Sequence, residues 1–337
     1  ETPMIQLAVV QTEWDLNDYR TEDAFRRYIE GTLDQIRSRT DPSLPVLVAF
    51  PEDIGLPLVL MNESLDFEPE APRTLQEAMR RFISVHLPEI LSTRLMHQVG
   101  WARAIWISQQ EKIAKTYVQT FSQAARRYGF YIVAGSAPLQ KLPIQDGKVT
   151  SYRVRQAEVY NTSYLFGPDG RILTAQKKVN LLPIEGKQGL DLSPGSLGEL
   201  QVVETPFGTL AIAICLDGFQ DDVLHRLGSL GGQILVQPSA NPAQWSREQQ
   251  LDWLNGSHRA VSNEGVFRYA LNPMATGSIY DLNFQGQSAI FAQQNMPAGQ
   301  LQGYLDLSPL SGFLTVADRP EGEEVLIVRV PTPSALP

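Results

Sequence analysis

Cysteine is nearly absent from this sequence. The chain has 337 residues and one cysteine, Cys215. A single thiol cannot form an intramolecular disulfide or a CxxC zinc or redox site, so disulfide scaffolds and thiolate metal centres are excluded. The thiol is therefore either a small buried side chain or a reactive group.

The sequence also lacks a positive charge balance and long apolar runs. It has 28 Lys and Arg against 37 Asp and Glu, for a formal net charge of −9. Binding to a phosphate backbone depends on basic side chains, so we expect no nucleic-acid partner. No apolar run approaches the roughly 20 residues that a membrane-spanning helix needs. We therefore expect no membrane partner and a cytoplasmic location.

What the sequence does contain is the alternation typical of an α/β fold. Hydrophobic residues make up 43% of the chain and charged residues 19%, which is enough to build a large core. Apolar positions at helical spacing predict one helix from Ala24 to Ile36 and another from Ile113 to Ala125, ending near Gly129. Short β-branched runs predict strands over residues 5–10, 46–50, 130–134, 160–166, 171–175, 210–214, 233–237, 266–271 and 325–330.

Residues 58–110 stand apart from this alternation. Leu75, Met79, Phe82, Ile83 and His86 have helical spacing, and a stretch rich in Leu, Met and Trp follows Pro88. We predict a helical insertion of one or two helices that packs on the body or contacts another subunit, with a lid or a membrane-surface helix as alternatives. Residues 1–330 are predicted to form one domain, and the Pro-rich residues 331–337 a flexible tail.

Three side chains that could take part in catalysis follow three different predicted strands. Glu52 follows the strand 46–50, Lys178 the strand 171–175, and Cys215 the strand 210–214. Each alone is typical of an ordinary role, as a capping glutamate, a surface lysine or a small core cysteine. The carboxyl end of a strand faces the crevice where α/β sheets bind ligands, so together they indicate a site with a carboxylate, an ammonium and a nucleophilic thiol.

Other chemistries have weaker support in the sequence. Neither H-E-x-x-H, GxGxxG, GxSxG nor a P-loop occurs. The four histidines do not suggest a base paired with Cys215; they are His86, His97, His225 and His258. A magnesium site at Asp217, Asp221 and Asp222 is the less favoured interpretation, because the helix macrodipole favours acidic residues in a first turn. We predict no metal.

The sequence resembles the nitrilase superfamily of carbon–nitrogen hydrolases through most of its length. The resemblance rests on the order and spacing of several short motifs. They are Phe50-Pro51-Glu52, Tyr160-Asn161-Thr162, Pro168-Asp169-Gly170, Lys177-Lys178-Val179-Asn180-Leu181, Glu185, Pro194-Gly195, Thr205-Pro206-Phe207-Gly208, Ile214-Cys215-Leu216-Asp217, Gln237-Pro238-Ser239-Ala240, Arg259-Ala260 with Asn263, Asn272 and Gly286-Gln287-Ser288. It implies a four-layer α-β-β-α sandwich, with two mixed sheets face to face and helices outside.

The resemblance also implies roles for individual residues. Glu52 would be the general base, Lys178 would stabilise the tetrahedral intermediate, and Cys215 would be the nucleophile. Glu185 would hold the lysine and the substrate, and the N–H of Leu216 would help to stabilise the oxyanion. The implied enzyme is an amidase-type homo-oligomer that needs no cofactor and acts on a small-molecule amide or carbamoyl compound.

Some alternatives stay open on the sequence. Leu216-Asp217 stands where nitrile-hydrolysing members of the superfamily tend to carry Trp-Glu, which favours an amide over a nitrile. Nitrile hydrolysis and acyl transfer to an amine could use the same three residues. An alternative of another class is a catalytically silent member that serves as a binding or assembly module.

Overall fold

The computed structural model describes residues 2–64, 71–262, 266–293 and 300–335. Over these residues the chain forms a ten-stranded, a seven-stranded and a two-stranded sheet, together with eight α-helices. The strands are β1 (Met4–Glu13), β2 (Val46–Ala49), β3 (Tyr131–Val133), β4 (Ala137–Leu139), β5 (Ile144–Gln145), β6 (Lys148–Val149), β7 (Tyr160–Phe166), β8 (Ile172–Lys177), β9 (Val202–Thr205), β10 (Gly208–Ile212), β11 (Ile234–Val236), β12 (Ser239–Ala240), β13 (Tyr269–Asn272), β14 (Met274–Ile279), β15 (Leu282–Phe284), β16 (Ala289–Ala292), β17 (Gln300–Gln302), β18 (Leu310–Val316) and β19 (Glu324–Pro331). The helices are α1 (Glu22–Ser38), α2 (Leu75–Val85), α3 (Leu87–His97), α4 (Trp101–Ser108), α5 (Gln110–Tyr128), α6 (Asp221–Ser229), α7 (Arg247–Trp253) and α8 (Arg259–Ser262).

Both large sheets are mixed. The ten-stranded sheet has the order β12, β14, β1, β2, β3, β7, β4, with β15, β19 and β8 paired to β14, β1 and β7. The seven-stranded sheet has the order β17, β18, β16, β13, β11, β10, β9. Strands β1, β2 and β3 run parallel, and β8 runs in the same direction because β7 is antiparallel to both β3 and β8. The carboxyl ends of β2 and β8 therefore lie at the same edge of the sheet.

Alternating side chains on β1 and β2 build the layers of the molecule. Ala8 and Val48 point to one face and share a core with Phe25 of α1 and Phe121 of α5. Leu7 and its neighbours on the opposite face share a second core with the seven-stranded sheet and with α6 and α8. Because strand side chains alternate with a period of two, one sheet can be buried on both faces. The predicted α-β-β-α sandwich is confirmed.

The two predicted helices have clear start and stop residues. Thr21 caps α1 by accepting a hydrogen bond from Ala24 N at 3.1 Å, and acidic residues occupy its first turn. Helix α5 ends at Gly129, whose φ of 67° lies in the left-handed region that glycine tolerates best. Both helices match the positions that their apolar spacing predicted.

The insertion at 58–110 contains three α-helices in its described part, where one or two were predicted. Pro88 lies in the first turn of α3, a position proline tolerates, and so a new helix begins directly after α2. Helix α3 ends at Gln98, which has a φ of 54°, and α4 begins after Gly100. The left-handed residue and the glycine divide one apolar run into two helices.

Near its carboxyl end the chain returns to the first strand. Pro331 is the last residue of β19 and lies opposite Met4 of β1. Residues 333–335 form a short 3-10 helix, and 336–337 of the predicted tail lie outside the described residues. Among the helices that the structure describes, none is long and apolar enough to cross a membrane.

Candidate active site

The fold brings Glu52, Lys178 and Cys215 together. Glu52 lies three residues beyond the end of β2, and Lys178 directly follows β8 at the same sheet edge. Cys215 follows β10 of the facing sheet. The Lys178 Nζ lies 2.8 Å from Glu52 Oε1, and all three side chains are buried. The three strand ends indicated by the sequence therefore form one cluster between the sheets.

Cys215 lies in a strained turn. Strand β10 ends at Ile212, two residues before the predicted end, and Cys215 begins a 3-10 turn with a φ of 47°. A non-glycine residue rarely adopts this conformation, which costs about 1–3 kcal/mol and is maintained by its surroundings. Cys215 N donates to Pro238 O at 2.8 Å, and Gln237 Nε2 donates to Cys215 O at 2.7 Å. These two bonds fix the turn.

Ala240 joins the thiol to the carboxylate through its main chain. Its N–H donates a hydrogen bond to Glu52 Oε2 at 3.1 Å. Its carbonyl oxygen accepts a hydrogen bond from Cys215 Sγ at 3.8 Å. One peptide segment after β11 therefore positions both groups. Ala240 was not predicted to have a role, because backbone contacts of this kind leave no signal in residue type.

Glu185 holds the lysine from the other side. Lys178 Nζ donates to Glu185 Oε2 at 2.6 Å, and Leu182 N donates to the same oxygen at 2.8 Å. Asn161 of β7 bridges the two glutamates, because its Nδ2 lies 2.9 Å from Glu52 Oε1 and 2.9 Å from Glu185 Oε1. The role of Asn161 was missed, although a buried amide in an apolar strand is a signal for such a contact.

Asp217 joins the turn at Cys215 to the segment after Lys178. Its carboxylate accepts hydrogen bonds from Val179 N at 2.9 Å, Asn180 N at 2.8 Å and Asn180 Nδ2 at 2.9 Å. This role was predicted for neither Asp217 nor Asn180. Leu216, predicted to offer its N–H to an oxyanion, lies between Cys215 and Asp217 in the same 3-10 turn and is partly buried.

The three aspartates that were considered as ligands of a magnesium ion contact different partners. Asp217 faces Val179 and Asn180, Asp221 pairs with Arg259 at 2.7 Å, and Asp222 accepts from its neighbour Val223 N at 2.8 Å. Within the described ranges, no group of three or more His, Cys, Asp and Glu side chains is placed to hold a metal ion. Asn263, one of the residues that carry the family resemblance, lies outside the described residues.

Burial and charge set the protonation of the cluster. Burial raises the pKa of Glu52 from its ordinary 4.5, against the lowering effect of the Lys178 charge. Burial likewise raises the pKa of the Cys215 thiol well above 9.0. For Lys178, burial opposes the charged form, but the negative charges of its neighbours prevail and raise its pKa. At neutral pH the lysine is an ammonium and the cysteine a protonated thiol that needs a base.

The chain is similar in sequence to known proteins. The profile of the carbon-nitrogen hydrolase family matches residues 85–301, more than half of the chain. The chain belongs to this family. Among curated proteins, the omega-amidase NIT2 of Danio rerio is 32% identical over 165 residues, which span 46% of this chain and 51% of that protein. The NIT2 protein of Xenopus tropicalis has the same identity and coverage. The alignment thus spans about half the length of these relatives.

Solved structures extend the similarity to the whole fold. Nit3 of Saccharomyces cerevisiae, a member of branch 10 of the nitrilase superfamily, has a TM-score of 0.58 at 18% identity and covers 99% of this chain and 92% of its own. A carbon-nitrogen hydrolase of Helicobacter pylori has a TM-score of 0.59 at 17% identity and covers 98% and 90%. The predicted membership of the nitrilase superfamily is confirmed.

Proposed function

We propose that this protein hydrolyses the carbon–nitrogen bond of a small-molecule amide or carbamoyl compound through a thioester on Cys215. The observation that carries the proposal is the buried cluster in which Lys178 Nζ lies within 2.8 Å of Glu52 and 2.6 Å of Glu185, beside the strained Cys215 turn. Membership of the carbon–nitrogen hydrolase family and the similarity to omega-amidases support the same reaction class.

Acylation begins with proton transfer from the Cys215 thiol to Glu52. The sulfur attacks the amide carbonyl, a C–S bond forms, and the carbonyl oxygen becomes an oxyanion. The Lys178 ammonium and the Leu216 N–H stabilise that charge as it develops. The C–N bond then breaks, and the amine leaves with the proton that Glu52 holds.

Deacylation uses the same carboxylate. Glu52 takes a proton from water as the water attacks the thioester carbonyl, and the C–S bond breaks to release the carboxylic acid. The proton on Glu52 returns to the sulfur, which restores the starting thiol. Glu185 and Asn161 act as positioning residues, because they hold Lys178 and Glu52 in place.

Product analysis tests this proposal. We expect the protein to release ammonia and carboxylic acid in equal amounts from a panel of primary amides that runs from small aliphatic to aryl compounds, and to act more slowly on the matching nitriles. Hydroxylamine added to the assay would divert acyl groups to hydroxamates and so measure acyl transfer to an amine. If no amide, carbamoyl compound or nitrile is turned over, the binding or assembly module is favoured instead.

A homo-oligomer and a cytoplasmic location stay predictions from the sequence.

The pKa of Glu52 predicts the acid side of the pH profile. Glu52 accepts a proton only when it is ionised, and burial raises its pKa above 4.5. Activity is therefore lost as the pH falls through this raised value, and we expect the acid midpoint of kcat/KM to lie above pH 4.5. Initial rates between pH 4 and pH 9 measure it. A midpoint at or below the ordinary glutamate pKa would mean that a group other than Glu52 causes the loss of activity at acid pH.

A further inference from the structure

A deep pocket opens next to the cluster. It has an empty volume of about 1040 Å³, including the space at its open mouth. Its wall contains Glu52, Lys178 and Glu185, together with Ala240, whose carbonyl oxygen lies 3.8 Å from Cys215 Sγ.

The helical insertion supplies much of the apolar wall. Helix α2 contributes Leu75, Ala78, Met79 and Phe82, and helix α4 contributes Ile105 and Trp106. Val59 and Leu60 also belong to the insertion, and the other apolar side chains come from the body of the protein; among them are Leu56, Leu182, Ile184, Ile279 and Phe284. This apolar surface favours the binding of a nonpolar part of the ligand, because transfer of nonpolar surface out of water is favourable.

Hydrogen bonds hold the insertion against the site. Leu75 N, at the start of α2, donates to Asp281 Oδ1 at 2.8 Å, in the turn between β14 and β15. On α4, Trp106 Nε1 donates to Leu190 O at 2.8 Å, and Arg103 Nε donates to Asp191 O at 2.7 Å. The wall is thus fixed to the segment that carries Glu185.

The charges of the pocket do not suit an anionic substrate part. Among the described lining residues, Lys178 is the only cation, and it already contacts Glu52 and Glu185. Asp53 adds a further carboxyl group to the wall. A carboxylate on the substrate would therefore enter without a free cation to pair with, at a large desolvation cost.

We infer that the substrate is a carboxamide with an uncharged, apolar acyl group, such as an alkyl chain or an aryl-alkyl group. The inference rests on the proposed function. The pocket is assigned to the acyl part because this part stays on Cys215 as a thioester after the amine has left, so it needs a site that retains it. The amine must instead depart before water reacts.

A homologous series tests the substrate class. We expect kcat/KM for straight-chain primary amides to rise from acetamide to octanamide, by up to about fourfold for each buried CH₂. The monoamide of a dicarboxylic acid is expected to react at least about a hundredfold more slowly than the uncharged amide of equal length. A series of N-alkyl acetamides, which lengthens the amine part instead, is expected to show no comparable rise.

A pocket-filling variant gives a second measurement. Ala78→Phe adds bulk to the buried wall of α2 and is expected to lower the ratio of kcat/KM for octanamide over acetamide at least tenfold. Gln76→Phe adds the same bulk to an exposed position on the same helix and is the matched control, with an unchanged ratio. If Ala78→Phe does not fold, the chain-length series on the unaltered protein still decides.

The outcomes separate the two proposals. Failure to turn over any amide would overturn the proposed function itself. Turnover of small or anionic amides without a rise along the acyl series would overturn this inference and leave the proposed function standing. A rise along the amine series alone would overturn the assignment of the pocket to the acyl group.

Discussion

Replacing Cys215 with alanine is expected to lower kcat for amide hydrolysis by about 10⁴-fold or more. Loss of a nucleophile removes the covalent route, and in a well-studied hydrolase such a loss costs about 10⁶-fold in kcat. Without the sulfur, Glu52 and Lys178 could at best direct water to the carbonyl. Single-turnover and steady-state assays of ammonia release measure the change, and intact-protein mass spectrometry is expected to find an acyl adduct only on the unaltered chain.

The Cys215→Ala variant is expected to keep the fold. The substitution removes one sulfur and its weak hydrogen bond to Ala240 O, so the free energy of unfolding should fall by only about 1 kcal/mol. Alkylation with iodoacetamide is an independent check, because the chain has one cysteine. If turnover persists after complete modification of this thiol, Cys215 is not the nucleophile.

Nine of the nineteen strands in the described residues, and the positions of Glu52, Lys178 and Cys215 after three of them, were predictable from local patterns. Glu52 and Cys215 each follow an apolar run, and such a run is visible in a sequence. Lys178 follows a partly exposed strand. Tyr160–Phe166 was predicted with its bounds as observed, because turn residues delimit it clearly. Those signals are local, so one sequence suffices to read them.

The contacts that complete the cluster were not predictable in the same way. Asn161 bridges Glu52 and Glu185 across 109 and 24 residues of sequence, and Ala240 reaches Glu52 across 188. Such pairings depend on how the sheets stack, which the residue types do not encode locally. The left-handed turn at Cys215 was missed for a related reason, since cysteine does not prefer this conformation and the surrounding hydrogen bonds impose it.

Replacing Lys178 with methionine is expected to lower both activity and stability. The ammonium is fully buried between Glu52 and Glu185, so its removal leaves two close carboxylates without a counter-charge. Breaking a buried ion pair from one side costs about 3–5 kcal/mol. Loss of the proposed oxyanion stabiliser is expected to lower kcat by about a hundredfold to a thousandfold. Urea unfolding and initial rates measure the two effects separately.

The two effects of the lysine can be separated by pH and by a second substitution. In Lys178→Met, uptake of a proton by Glu52, whose pKa burial already raises, removes part of the unpaired charge, so the stability deficit is expected to shrink as the pH falls. Adding Glu185→Gln should recover part of the stability at neutral pH without recovering activity, because the oxyanion still lacks its ammonium.

Lys177→Met is the matched control. It breaks a partly exposed ion pair with Glu199 at 3.0 Å, which contributes about 1 kcal/mol or less, and should leave kcat nearly unchanged. If Lys178→Met keeps kcat within tenfold, the lysine supports the fold and another group stabilises the intermediate.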